Sequence, residues 1–266
     1  VHPRVSIIIA NWNTRDLILQ CLSSIRRHSP HCEAIVVDNG STDGSNAAIE
    51  REFPEAKIIR HAENQGYARA NNAGVRAASG EYLLFLNSDT ILMGDTVDGL
   101  CDLLRDHSRL AACSPRLVQQ NGRAQPYAFG NDPTLGYLFS RALVRAGIRK
   151  PLHDWDTTIV QKVDWVSGAC LLMRRSAFEQ VGGFDENIFM YFEDNDLCLR
   201  LRQAGWKVVY APHVAVVHLG GASVSSDISR NHYYYQSLRY FYSKHYSVVA
   251  CSILRILLPI YRLCFR

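Results

Sequence analysis

At 266 residues, with 47% hydrophobic and 20% charged side chains, the chain has the length and apolar content to bury a sizeable core, so disorder is excluded as its default state. A formal net charge of +4 and a pI of about 8.6 suit anionic partners such as phosphates, phospholipids or nucleic acid without choosing among them. Its eight cysteines have no CxxC or other zinc-type spacing and mostly sit in apolar runs, which predicts buried free thiols in a reducing compartment.

Residues 5–10 are a strand candidate. They are too short for a secretory signal and run at once into polar turn formers, which predicts a cytosolic protein. Residues 11–14 supply a turn and a helix cap, after which Leu17, Ile18, Cys21, Leu22 and Ile25 recur at the spacing of one apolar helical face. A strand at 34–37 leads into Asp38-Asn39-Gly40-Ser41-Thr42-Asp43-Gly44-Ser45, a cluster of turn formers, then a helix over 46–53 and a strand over 57–60. A helix over 67–78, closed by Ser79-Gly80, precedes a strand at 82–86 that is apolar enough for the middle of a sheet. This alternation is the pattern of βαβ units and a mostly parallel sheet.

Residues 119–161 are rich in Gly, Pro, Arg and aromatic residues without a clean period, and read as a long functional or mobile loop holding one short helix. Order returns over 163–173, with helices near 176–181 and 193–204 and strands at 208–210 and 214–217. Residues 248–260 are strongly apolar but contain Arg255, and fall short of the ~20 residues that cross a bilayer. With Arg255, Arg262 and Arg266 among Ile, Leu, Tyr and Phe, this segment fits a helix lying at a membrane surface. A terminal helix packed on the protein's own core fits the same amphipathicity equally.

The strongest local signal is Asn87-Ser88-Asp89 at the carboxyl end of a buried strand, where residues i and i+2 point the same way. Ligands of open α/β sheets bind outside such strand ends, and oxygen ligands suit Mg²⁺ or Mn²⁺, which in turn hold a diphosphate. The triplet alone is also a common turn. However, the first strand ends in Asn11 and Asn13 and the second in Asp38, Asn39 and Ser41, so three strand ends deliver polar groups to one edge. Asp38 has two readings: an acceptor from the imide of uracil or thymine, or an Asx-turn residue.

Asn64, Gly66 and Arg69 lie at a helix start, where free backbone donors and the dipole favour anions; Arg69 reads equally as a solvated helix residue. Glu193, Asp194 and Asp196 crowd another helix start, where the dipole favours carboxylates as caps and would also keep an acid ionised as a base. The arginines at 123, 141, 145 and 149, with Lys150, are either solvated surface charge or a contact for a phosphorylated lipid carrier. No nucleic-acid reader motif, G-x-S-x-G or Gly-rich phosphate loop after the first strand is present, which argues against nucleic-acid partners, a serine hydrolase and a nucleotidyltransferase.

Six motifs together resemble the bacterial family 2 glycosyltransferases, and among them the rhamnosyltransferases of cell-wall and O-antigen synthesis. They are Val5-Ser6-Ile7-Ile8-Ile9-Ala10-Asn11-Trp12-Asn13, Val37-Asp38-Asn39-Gly40-Ser41-Thr42-Asp43-Gly44, Asn64-Gln65-Gly66-Tyr67-Ala68-Arg69-Ala70-Asn71-Asn72, Leu86-Asn87-Ser88-Asp89, Ser167-Gly168-Ala169 and Phe192-Glu193-Asp194-Asn195-Asp196. The resemblance spans roughly residues 5–220. It implies a GT-A, Rossmann-like α/β fold: a mixed, mostly parallel central sheet flanked by helices, with a C-terminal helical extension. Residues 1–105 would be the nucleotide-sugar half, 106–225 the acceptor half, and 226–266 a helical, membrane-associated segment.

The resemblance also implies a nucleoside diphosphate sugar donor, dTDP or UDP, and Mg²⁺ or Mn²⁺ at the D-x-D position, here Asn87-x-Asp89. Asp89 would contact the metal, while Asn87, standing where the motif has its first acid, would contact the donor with Ser88. Asp38 would bind the base, and Asp194, beside Glu193, would be the general base. His218 falls where some GT-A enzymes place a metal-binding histidine, whereas His213, at odd spacing, would point to the other face. The expected activity is inverting transfer of a sugar, L-rhamnose from dTDP-rhamnose, to a hydroxyl of a glycan or polyprenyl-diphosphate-linked acceptor at the inner face of the plasma membrane. The alternative is a catalytically silent sugar-nucleotide or glycan binding subunit.

Overall fold

The computed structural model describes residues 5–220 and 227–264, so the parts of the expected halves and extension that fall on residues 1–4, 221–226 and 265–266, Arg266 among them, lie outside the described residues. Four short strands build the parallel part of the sheet: β1 (Val5–Asn11), β2 (Glu33–Asp38), β3 (Lys57–Arg60) and β4 (Tyr82–Asn87). Ile7, Ile8 and Ile9 of β1 are all fully buried, because helices cover both faces of a parallel sheet and leave no polar alternation. The crossovers are α1 (Arg15–His28), α2 (Ser45–Glu52) and α3 (Tyr67–Ala77), within a residue or two of the predicted helices. Of the predicted α1 stripe, Ile18, Cys21, Leu22 and Ile25 are buried and Leu17 is half-buried.

Residues 90–118, assigned to no element from periodicity, form β5 (Thr90–Leu92), α4 (Thr96–Asp106) and β6 (Leu110–Val118). The long irregular segment holds β7 (Phe129–Gly130), α5 (Leu135–Arg145) and β8 (Gln161–Lys162), so it is more ordered than its composition suggested. After it come β9 (Trp165–Val166), β10 (Cys170–Arg174), α6 (Arg175–Gln180) and α7 (Glu193–Gln203). The two short strands expected at 208–210 and 214–217 are one strand, β11 (Lys207–His218), with a register shift between Ala211 and Ala215.

The main sheet runs β3-β2-β1-β4-β10-β6-β11-β5, with β8 also on β11; β7 and β9 form a separate pair. Pairs β1–β2, β1–β4, β2–β3 and β6–β11 are parallel, while those of β10 with β4 and β6, and of β11 with β5 and β8, are antiparallel. The sheet is therefore mixed, and parallel pairing dominates its first four strands rather than the whole. The seven described cysteines, 264 being the eighth, carry free thiols.

The C-terminal helices α8 (Asp227–His245) and α9 (Val248–Cys264) share a second core, in which Leu254 and Leu258 meet Phe192, Leu238, Phe241 and Tyr242. One side of α9 thus packs on the protein, while Val248, Val249, Ile256 and Leu257 remain exposed on the same helix. No helix among the described residues is long and apolar enough to cross a membrane.

Candidate active site

The tips of β1, β2 and β4 are tied together by buried polar side chains. Asn11 donates through Nδ2 to Asp38 Oδ1 at 3.0 Å and to Ser41 Oγ at 3.2 Å. Its Oδ1 accepts from the Thr14 hydroxyl at 2.7 Å, and that hydroxyl lies 2.9 Å from Ser88 Oγ. A buried polar group must find a partner, so this chain of contacts sets the relative height of three strand ends. Thr14 has no distinguishing mark in the sequence beyond its place in a turn.

Asp38 is buried, and its second oxygen accepts from the Ser41 backbone N–H at 3.0 Å and from Asn46 Nδ2 at 2.9 Å. This is the turn-stabilising geometry, and the carboxylate does not line the cavity described below. Asn13 and Ser41 also stay out of the cavity: Asn13, at φ 52°, accepts from the Thr42 N–H, and its own N–H donates to Ser41 Oγ. Arg69 sits on the surface beside Glu186 and likewise does not line the cavity. Asn39 does reach it, with Nδ2 donating to Gly66 O at 3.2 Å and Oδ1 2.9 Å from His61 Nδ1.

A cavity of about 700 Å³ opens at the carboxyl ends of the central strands. Asn11, Asn39, Asn64, Gly66, Asn87 and Ser88 line it, and so do Asp89, His218, Glu193 and Asp194. Gly66 has φ 86°, and a Cβ there would stand 2.5 Å from Phe189 O, so no side chain fits. Asn64 holds the turn by accepting from the Gly66 N–H.

β11 runs far enough to bring His218 to the β4 tip, and its Nε2 lies 3.2 Å from Asp89 Oδ1. His218 Nδ1 is 2.8 Å from Gln125 Oε1, and Asn87 Nδ2 is 3.3 Å from Nε2. An Nδ1–H donating to Gln125 leaves the Nε2 lone pair facing Asn87 and Asp89. His213, inside the register shift of β11, turns instead to the Gly99 carbonyl on α4 and does not line this cavity. Gln125, in the irregular segment, carried no signal in the sequence.

The acid pair enters from α7. Tyr191 and Phe192 hold left-handed backbone, φ 66° and 67°, immediately before Glu193, a strained geometry of the kind found where a site must be aimed. Asp194 accepts from the Gly168 N–H at 3.1 Å and the Asn195 N–H at 2.8 Å, so the Ser167-Gly168-Ala169 turn orients the carboxylate. Gly168 O in turn accepts from Tyr67 Oη at 2.7 Å. Burial, followed by the charge of Asp194, pushes the Glu193 carboxyl up to about 8. Burial also raises Asp194, against the lowering effect of its backbone donors. Glu193 Oε2 has no hydrogen-bond partner among the described residues. Asp196, in contrast, is fully buried and structural, gripped by Arg200, Lys244 and His245.

The mixed sheet, flanked by helices and with its cleft at the strand tips, has the fold of GT-A glycosyltransferases. Residues 6–182 match the family model for glycosyl transferase family 2, and residues 156–254 match that for glycosyl transferase family 21. The chain belongs to glycosyl transferase family 2. It is 33% identical over 73% of its length to the N-acetylglucosaminyl-diphospho-decaprenol L-rhamnosyltransferase of Mycobacterium tuberculosis, covering 68% of that protein. It is 29% identical over 80% of its length to the rhamnosyltransferase WbbL of Escherichia coli, covering 83% of that protein. Its fold is similar to that of a Pyrobaculum calidifontis mannosyltransferase solved with GDP-Man and Mn²⁺, with a TM-score of 0.61, 20% identity, and coverage of 98% of this chain and 69% of that one.

Proposed function

We propose that this glycosyltransferase moves L-rhamnose from dTDP-rhamnose, with inversion, onto a hydroxyl of a polyprenyl-diphosphate-linked or glycan acceptor. The observation that carries the reading is that Asp89 with His218, and Asp194 with Glu193, line one cavity. The similarity to two rhamnosyltransferases supports the sugar.

The residues present fit a divalent cation. The 3.2 Å between Asp89 Oδ1 and His218 Nε2 is close to the roughly 3 Å edge of an octahedron with bonds of about 2.1–2.2 Å. Among the described residues no group of three His, Cys, Asp or Glu could hold a metal ion, so Mn²⁺ or Mg²⁺ here would take its other positions from diphosphate oxygens and water. When bound, the ion would offset negative charge on the departing nucleoside diphosphate. Gln125 holds the imidazole with Nε2 turned toward Asp89 and Asn87, where the ion would bind it in place of the Asn87 amide, and Asn87 and Ser88 would meet the donor.

Asp194 accepts the proton of the acceptor hydroxyl, its orientation held by two backbone donors. Glu193, kept neutral by burial, hydrogen-bonds the acceptor without competing as a second base. One base with no carboxylate serving as nucleophile gives inversion. Asn11, Asn39, Asn64 and Gly66 shape the nucleotide end, with Asp38, Asn13 and Ser41 supporting them from behind and Arg69 at the surface. Residues 1–105 form the nucleotide-sugar half, 106–225 the acceptor half and 226–266 a helical extension. The exposed apolar residues of α9 support a peripheral position at the cytoplasmic face of the membrane.

The test is a panel of dTDP- and UDP-sugars assayed for hydrolysis and transfer with Mn²⁺ or Mg²⁺. Turnover of dTDP-rhamnose that is lost in Asp89→Ala is expected. Preference for another donor overturns the rhamnose assignment.

A further inference from the structure

One wall of the cavity is built outside the parallel half-sheet, from α5 and α8, and it carries an arginine that the donor chemistry leaves unused. Arg141 lies on α5 and lines the same cavity as Asp89 and Asp194. Its Nη1 donates to Tyr234 Oη at 3.2 Å, and its guanidinium stands 5.4 Å from the ring centre of Tyr127. Tyr137, one turn earlier on α5, also lines the cavity and bonds His153 through its hydroxyl at 2.9 Å. The groups acting most strongly on the Arg141 charge, after burial, are the phenols of Tyr234, Tyr127 and Tyr137.

Three other half-buried arginines of the fold have carboxylate or carbonyl partners. Arg200 is paired with Asp196, Arg202 with Asp132, and Arg174 is held by the carbonyls of Leu104 and Leu110. Arg141 pairs with no carboxylate among the described residues. A guanidinium withdrawn from water without an anion is unfavourable, and phenols replace only part of its hydration. The planar fork, held by a ring below and a hydroxyl beside it, is the arrangement that receives a phosphate through two parallel hydrogen bonds.

Accepting the lipid-linked acceptor proposed above, we infer that Arg141, caged by Tyr127, Tyr137 and Tyr234, binds the acceptor's diphosphate. The donor's diphosphate belongs with Asp89 and His218 at the strand tips, whereas Arg141 belongs to the α5 wall. The outer surface of that wall suits an amphiphile. Phe139 and Ile148, on and just beyond α5, are 64% and 73% exposed. α5 also meets α9 through Arg145 and Tyr261, at 3.4 Å, so these residues lie near a helix with its own exposed apolar side. A prenyl tail would lie along this face, its head group at Arg141.

Binding measurements on the full chain test this without any sugar donor, so they stand or fall separately from the rhamnose assignment. The probes are farnesyl diphosphate, farnesol, inorganic pyrophosphate and dTDP with Mn²⁺, titrated against wild type, Arg141→Ala and Arg141→Lys. Farnesyl diphosphate is expected to bind wild type, to lose at least about tenfold in Arg141→Ala and to lose less in Arg141→Lys. Farnesol and dTDP should bind all three alike, which also certifies that the variants are folded. Pyrophosphate binding at Arg141 as tightly as farnesyl diphosphate would assign the site to a free anion and overturn the lipid-linked source. Failure of farnesyl diphosphate to bind wild type, equal affinity across the variants, or a matching loss of dTDP would overturn the subsite. If Arg141→Ala fails to fold, Arg141→Gln with the same probes decides the matter.

Discussion

His218 Nε2 lies 3.2 Å from Asp89 Oδ1, and this contact joins the last residue of β11 to the turn after β4. It brings together two elements with no local relationship in the chain, and under the proposed function it is the cation site. Replacing His218 with Ala is expected to raise the Mn²⁺ concentration needed for half-maximal activity by roughly 10–100-fold while saturating metal restores part of the rate. Metal titration of activity measures this. An unchanged metal requirement would exclude His218 as a ligand.

Asp194→Asn should leave donor KM near normal and lower kcat by about 100-fold or more, as loss of a general base does. Because burial raises the Asp194 carboxyl, the acid limb of wild-type kcat/KM should lie above the ordinary aspartate value of about 3.9. Glu193→Gln should keep that limb, since Glu193 is itself protonated there. Full turnover in Asp194→Asn would remove it from the chemistry.

The Glu193 carboxyl also makes stability depend on pH. Its native value of about 8 is above the reference 4.5, so the fold favours the protonated acid. The associated stability is complete below about 4.5 and is lost as pH climbs to about 8. Glu193→Gln, always neutral, should therefore melt at about the wild-type temperature at pH 5 and at least about 2 °C higher at pH 8.5. Equal melting temperatures at both pH values would contradict the buried, neutral assignment.

Gly66 offers a test of the nucleotide-side turn. At φ 86°, with Phe189 O 2.5 Å from a would-be Cβ, alanine forces both strain and a backbone shift. A loss of about 1–3 kcal/mol in urea unfolding is expected, with weaker dTDP binding. A neutral result would mean that the 188–190 segment yields easily.

The outer side of α9 predicts adhesion to anionic vesicles. Pelleting with phosphatidylglycerol vesicles should fall at least about tenfold in Ile256→Asp/Leu257→Asp, since each such side chain is worth ~1.5–3 kcal/mol when buried. Leu254 and Leu258, which hold the helix to the protein, are untouched by these changes. Undiminished pelleting would place the membrane contact elsewhere.

The β1 and β4 cores were legible because a parallel strand buried on both faces must be a short run of apolar residues, as 5–10 and 82–86 are. The positions of the cavity-lining acids at 89 and 194 were legible because strand ends and helix starts are local features. Readings stayed open where partners are distant. Whether Asp38 faces a ligand or its own turn depends on Asn11, Ser41 and Asn46, and whether Arg69 reaches the cleft depends on Glu186. The register shift at Ala211 to Ala215 hid the continuity of β11, because it interrupts the period-two pattern.

The order of residues by itself determined the alternating elements, the polar strand tips and the acid-rich start of α7, since each follows from backbone preferences within a few residues. Only the folded chain decided which of those polar groups share a cavity. It carried His218 to Asp89, turned Asp38 inward, and set Arg141 among three tyrosines. Such choices depend on which desolvated groups find partners, and those partners come from residues far apart along the chain.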